Sequence, residues 1–275
     1  METARTALRS RDRGGLLGRR GLAVLGAALL SAGCDSVVGI PGDEIVSSGD
    51  SRTVMAVATA PGPDKSALAT AAVRGFANDL RGGDLDRLET TCWTMAPLNV
   101  RTMYADPEPV LAALERPGAH TGSTTVWQDG GVTVVVPDAA VTGGYACPYV
   151  FTGDAEIGFN DADARHTVRR YLSRLIGEPV HPDDDEQTHP LVCAAGAGDW
   201  DPNQTGKSGK PPLAGNPGAL AGIQGFVDRS IKSEWPRGAY ITVSVPVTTA
   251  AGVQKKQVFT LKAGDEGYCI GDVSG

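Results

Sequence analysis

The chain has 275 residues, of which 41% are hydrophobic and 21% charged, a balance that supports a packed core and excludes wholesale disorder. Its 36 glycines and 18 prolines against only 15 aromatics point to many turns joining modest strands, with no collagen-like Gly-X-Y period. The net charge of -7, with no basic cluster beyond the first 20 residues, argues against nucleic acid as a partner. No apolar run reaches the roughly 20 residues that a membrane-spanning helix requires.

The chain opens on a basic stretch carrying Arg5, Arg9, Arg11, Arg13, Arg19 and Arg20. Residues 21–32 (GLAVLGAALLSA) follow as an uncharged run of apolar and small side chains, and then Gly33-Cys34. A basic start, a short apolar run and small residues before a cut are the parts of a secretory signal peptide, expected here over residues 1–33. The run is too short to span a bilayer.

The end of this segment, Leu30-Ser31-Ala32-Gly33-Cys34, resembles the lipobox of bacterial lipoproteins. In that family a diacylglyceryl group is attached to the cysteine and the peptide is cut just before it. The resemblance therefore implies a lipid on Cys34 and a protein held at the extracytoplasmic face of the cell membrane. Ser31 stands where the commonest pattern has leucine, with Leu30 one place further back, whereas Ala32 and Gly33 fit. Arg19-Arg20-Gly21-Leu22 is also similar to a twin-arginine export signal, which leaves the translocon open. Removing residues 1–33 takes away six arginines and two acids, leaving 19 basic and 30 acidic residues and a net charge of -11. Anionic headgroups repel such a body, so the membrane partnership is expected to run through lipid and not through a basic patch.

Setting Cys34 aside for lipid leaves Cys92, Cys147, Cys193 and Cys269, an even number suited to disulfides in an oxidising compartment. No pair has C-x-x-C spacing, so neither a zinc site nor a thioredoxin-like motif is indicated. Four cysteines allow three connectivities, and spacing alone does not choose among them.

An internal repeat does choose. Val73-Arg74-Gly75-Phe76 followed by Leu80 recurs as Val168-Arg169-Arg170-Tyr171 followed by Leu175. Leu68, Ala72, Val73, Phe76, Ala77 and Leu80 share one helical face, as do Val168, Tyr171, Leu172, Leu175 and Ile176. Gly82-Gly83 and Gly177 are placed to stop the two helices. Each half then has a cysteine (Cys92, Cys193) and a second helix start, Asp106-Pro107 and Asn216-Pro217. Trp127 and Trp235 precede β-branched runs, 132–137 and 240–246, that read as strands ending at a proline. A last strand carries Cys147 in one half and Cys269 in the other.

These five landmarks recur in order at offsets of 95 to 122 residues, which points to duplication and two tandem domains. The expected fold class is α+β: two units, 64–158 and 159–275, each of helices followed by an antiparallel sheet, after a lipidated tether over 34–63. The tether carries one short apolar run, 54–58, that reads as a single added strand. Matching positions in a duplicated unit meet the same internal partner, so Cys92 is expected to pair with Cys147 and Cys193 with Cys269.

Residues 72–88 resemble the first helices of domains in the nuclear-transport-factor-2-like and cystatin-like α+β superfamily. There an amphipathic helix bearing an aromatic leads into G-D-x-x-x-L, matched by Gly83-Asp84-Leu85-Asp86-Arg87-Leu88. The resemblance implies a curved sheet around helices with a conical pocket. It fixes no function, because that fold hosts enzymes, binding modules and scaffold subunits.

The candidates for chemistry are weak by their residues. Thr205-Gly206-Lys207-Ser208 echoes a phosphate-binding loop, but Asp201 stands where the first glycine belongs and Pro211-Pro212 blocks the helix that must follow. His181 and His189 bound an acidic stretch, Asp183-Asp184-Asp185-Glu186, that lacks the alternation of a calcium loop and reads as a charged surface loop. His120 and His166 are the other imidazoles, read as surface or helix-start residues, with a general base in a conical pocket as the alternative for either. Asp161 and Asp163 read as charges favoured at a helix start. No Gly-x-Ser-x-Gly elbow occurs, and pairing four cysteines leaves no thiol nucleophile. No catalytic residue, metal site or cofactor is assigned. The expected function is a membrane-anchored, non-enzymatic binding or scaffold module of the bacterial envelope, partnered by an envelope protein or a small apolar ligand. The alternatives are a pocket hydrolase or isomerase, and a structural subunit of an envelope or conjugation apparatus.

Overall fold

The computed structural model describes residues 64–275, so the signal segment, Cys34, and the tether with its apolar run at 54–58 lie outside the described residues. The Asp64 carboxylate accepts the Ala67 amide and opens α1 (Lys65–Gly82), which Gly83 ends at a φ of 73°, in the left-handed region open to glycine. Ala69, Ala72, Val73, Phe76, Ala77 and Leu80 are buried along one face, as the helical period requires. Leu68 departs from that expectation and is half exposed, because it sits on the flank of the buried stripe. Asp84 caps α2 (Leu85–Thr91), and a proline at the first helical position begins both α3 (Pro97–Met103) and α4 (Pro107–Leu114).

Four strands follow as an antiparallel meander in the order β1 (Ala119–Thr121), β2 (Thr124–Asp129), β3 (Val132–Pro137) and β4 (Tyr149–Thr152), with the short α5 (Asp138–Val141) between the last two. Trp127 on β2 pairs with Val134 on β3, and both are buried against Phe76, Leu88, Val100 and Tyr104 of the helices. A side chain at Gly118 would collide with the Trp127 ring, its Cβ falling 2.6 Å from the indole, so glycine there admits the tryptophan.

The second half starts with the longest helix after α1, α6 (Asp161–Leu175), and reaches its sheet only after a long irregular connection. That sheet contains β5 (Ile223–Phe226), β6 (Lys232–Arg237), β7 (Tyr240–Thr249), β8 (Gln254–Gly264) and β9 (Gly267–Ser274), all antiparallel, with β5 and β6 sharing β7 as partner. Ala164, Val168 and Leu172 of α6 pack on Val243, Val245, Phe259, Leu261 and Ile270 to form a second core.

Two expectations from the repeat fail here. No helix opens at Asn216-Pro217; a 3-10 turn at Leu213–Gly215 and successive turns up to Gly222 occupy the place. Gly215, Gly218 and Gly222 crowd the segment, leaving no stretch long enough to nucleate a helix. Nor does β7 end at Pro246. The strand continues to Thr249, because Pro246 faces the point where β7 changes partner from β6 to β5, and no ladder donor is needed there. Its carbonyl still accepts the Val227 amide at 3.1 Å.

The disulfides join Cys92 to Cys147 and Cys193 to Cys269, with Cα atoms 5.7 Å and 4.8 Å apart. Cys92 follows α2. Cys147 lies two residues ahead of β4, not on the strand as the repeat implied. Cys269 is on β9, and the backbone around Cys193 lies beside β9 in parallel, with Cys193 N–H donating to Ile270 at 3.0 Å and Ile270 N–H to Leu191 at 2.8 Å. The architecture is α+β with antiparallel sheets.

Candidate functional site at the meeting of the two halves

The start of α6 is where the halves touch. The Asn160 side chain accepts the amides of Ala162 and Asp163, and the Asp163 carboxylate reaches back to the Asn160 N–H at 3.0 Å, a capping box. The same carboxylate accepts the Asn99 side-chain amide of α3 at 2.8 Å and the Tyr149 hydroxyl of β4 at 3.4 Å. Asn99 and Asn160 exchange further amide hydrogen bonds at 3.0 and 3.2 Å. Burial pushes the Asp163 carboxyl up to about 6, and the hydrogen bonds it accepts only partly oppose the shift. The helix-start reading of Asp161 and Asp163 therefore holds, but Asp163 also welds one half to the other.

One turn further on, His166 is 6% exposed and its Nε2 lies 2.8 Å from the Trp93 carbonyl oxygen. A carbonyl only accepts, so Nε2 carries the proton and Nδ1 presents a bare lone pair. That Nδ1 is buried and has no hydrogen-bond partner. Burial lowers the His166 pKa to about 4, so the ring is neutral at physiological pH. The expectation of a surface or capping imidazole is corrected: α6 turns His166 inward on the face it shares with Asp163, Arg170 and Ser173, around the helix from the core face of Ala164, Val168 and Leu172.

The next two turns carry Arg170 and Arg174, which converge on Asp184. Arg170 donates to its Oδ1 at 2.6 and 3.1 Å, Arg174 Nε donates to the same oxygen at 3.0 Å, and Arg174 Nη2 is a further partner. The Asp184 side chain is fully buried. Burial alone would raise its pKa, but the guanidinium hydrogen bonds and charges outweigh it and hold the carboxyl below the usual range. Arg174 also donates to Glu186 and to the His189 carbonyl, each at 2.8 Å, and Glu186 in turn accepts the Leu191 and Val192 amides.

Residues 181–189 form a charged surface loop as expected, with Asp183, Asp185 and Glu186 exposed, but Asp184 departs from that reading because it is buried and anchors the loop to α6. His181 stacks on Trp93 with ring centroids 4.8 Å apart and planes 1° from parallel; His189 meets the same ring edge-on, also at 4.8 Å. The Arg170 guanidinium lies 4.9 Å from the Trp93 centroid. One tryptophan of the first half thus receives three side chains of the second.

Beside Trp93 opens a cleft of about 830 Å³. Its apolar lining includes Met95, Ile176, Val180 and Phe226, with His166 and Ser173 between them, and its charged lining is Asp86, Glu89, Arg101, Arg169, Glu178 and Asp228. Arg101 binds Asp86 and Glu89, both at 2.7 Å, and Arg169 binds Asp228 at 3.1 Å. Trp93 and His181 also line a second hollow of about 740 Å³, shared with Thr90, Tyr145 and His189.

The remaining candidates lie elsewhere. His120 pairs with Asp138 at 3.0 Å, where Lys65 also binds. Asp161 pairs with Arg165 and accepts the Ser233 hydroxyl at 3.1 Å. In the phosphate-loop echo, the Thr205 and Gly206 amides that would face a phosphate already donate to Asp201, at 3.0 and 2.7 Å. Among the described residues no three His, Cys, Asp or Glu side chains gather as a metal site, and no helix is long and apolar enough to cross a membrane.

Trp93, Asn99 and Arg174 carry no mark of the junction in the sequence motifs, and Arg170 and Asp184 stand there only as a repeat position and a surface acid. The arginine pair had a usable signal, since i and i+4 place both guanidiniums on one helix face ahead of an acidic stretch. Trp93 and Asn99 had none, because each acts across the junction. His166 Nε2 is committed to the Trp93 carbonyl, and His181 Nδ1 lies 3.7 Å from the exposed Asp183 carboxylate. No protein-family model matches the chain, and no curated protein or solved structure matches it.

Proposed function

We propose that this chain is an exported lipoprotein of a bacterial envelope, held at the extracytoplasmic face through lipid on Cys34, and that it acts as a non-enzymatic binding or scaffold module. The observation that carries the reading is the cysteine arrangement. All four cysteines beyond Cys34 are taken in two bridges, which suits an oxidising compartment and leaves Cys34 as the odd residue for the lipid that its leader implies. Duplication of one ancestral unit belongs to the same proposal. It is supported by a separate core and a separate bridge in each half. The charged cleft beside Trp93 is the proposed contact surface. Its polar lining favours a protein or a polar ligand over a small apolar ligand.

The test is fractionation of cells grown with labelled palmitate, comparing the wild-type chain with Cys34→Ala. The wild type is expected in the membrane fraction carrying label, and the variant unlabelled and released. Equal membrane retention of both would sink the anchor.

A further inference from the structure

We propose that the cleft beside Trp93 binds an aliphatic ammonium group, either a free alkyl amine or the lysine side chain of a partner protein; the proposal rests on reading that cleft as a binding surface. Three features point to this chemistry. Carboxylates in the lining outnumber guanidiniums by four to two, Arg101 is engaged by Asp86 and Glu89, and Arg169 by Asp228. Glu178 has no ion-pair partner among the described residues, so the cleft has a surplus of negative charge. Next, His166 Nδ1 is a buried acceptor with no donor, on a ring that is 6% exposed and lines the cleft. A buried acceptor left unpaired is costly, and a charged N–H donor satisfies it better than a neutral one. Last, Met95, Ile176, Val180 and Phe226 give an apolar lining for a methylene stem. An anion finds no uncommitted cation here, and an apolar molecule leaves both Glu178 and His166 unanswered.

Calorimetric titration of the full chain in non-ionic detergent tests the proposal with four probes of similar length: 1,5-diaminopentane, N-acetyl-lysine amide, 1-pentanol and pentanoate. Either amine binding, with the alcohol and the acid silent, supports the proposal. Diamine alone marks a free amine as the source, and the lysine amide alone marks a protein side chain. His166→Gln keeps a donor for the Trp93 carbonyl and moves the acceptor from the Nδ1 position to an amide oxygen elsewhere on the side chain; it is expected to weaken amine binding about tenfold. Glu178→Gln lies on the exposed rim, where folding is not at stake, and is expected to weaken it about threefold. Amines that do not bind, or that bind both variants as tightly as wild type, overturn the proposal. Saturable binding of pentanol or pentanoate instead overturns the ligand class while leaving the cleft a binding surface, and none of these results bears on palmitate labelling at Cys34.

Discussion

Asp184 is a carboxylate with a fully buried side chain and two arginines around it, and its value lies in what it holds still. Removing one partner from a buried, hydrogen-bonded charge set leaves the others uncompensated, a loss of about 3–5 kcal/mol. Asp184→Asn is accordingly expected to lower unfolding free energy by about that amount, and to loosen His181 and His189 from Trp93, changing tryptophan emission before global unfolding. A urea titration followed by fluorescence measures both. An unchanged midpoint would mean that the cluster carries no stability. Two neighbours on α6 give a second residue-scale expectation. Asp163 has a folded pKa of about 6 against 3.8, so its contribution is full below 3.8 and lost as pH rises through about 6. His166 has a folded pKa of about 4 against 6.5, so its contribution is full above 6.5 and lost as pH falls towards 4. The two oppose each other across the same window. Asp163→Asn leaves His166 unopposed, and the variant is expected to lose stability between pH 6.5 and 4 with a slope steeper than wild type by up to about 1.4 kcal/mol per pH unit. Denaturation midpoints at several pH values decide it; parallel wild-type and variant curves would contradict the assignment.

At the scale of elements, α6 is the part on which the second core, the junction with α3 and the cleft depend. It packs on its own sheet and on α3, and it supplies Asp163, His166, Arg170 and Arg174. An N-cap replaced by alanine costs about 1 kcal/mol, and Asn160→Ala should exceed that because the same side chain bonds Asn99 of the other half. Thermal unfolding of Asn160→Ala beside Asn78→Ala, an exposed-face control on α1, makes the comparison, and equal small losses would show that the cap does not weld the halves. The elements themselves were largely legible. Apolar spacing located α1 and α6, the prolines located α4, and β-branched runs located β3 and β7. Failures came where local signals met tertiary context. Asn216-Pro217 looks like a helix start, yet the glycines around it forbid one; Pro246 looks like a strand end, yet the ladder has a gap at that point. The site was less legible than the fold, because Trp93 and Asp184 are distant in sequence and acquire meaning only when the loop after α6 folds back across the junction.

For the whole molecule, the two bridges enclose intervals of 55 and 76 residues, and chain-entropy reasoning assigns about 4 kcal/mol to each. A domain's entire margin is about 5–15 kcal/mol, so reduction of both should bring this protein close to unfolding, a dependence suited to a compartment that keeps cysteines oxidised. With residues 1–33 removed, as proposed, the acidic body has a net charge of -11 and no electrostatic reason to sit on an anionic membrane, so the proposed anchor rests on lipid at Cys34 alone. The most direct measurement of this central claim is mass spectrometry of the protein from the membrane fraction, digested without reduction. The account predicts an amino-terminal peptide beginning at an acylated Cys34, together with linked peptides joining Cys92 to Cys147 and Cys193 to Cys269. An unmodified Cys34 inside an uncleaved leader, or a peptide linking Cys147 to Cys193, would contradict it.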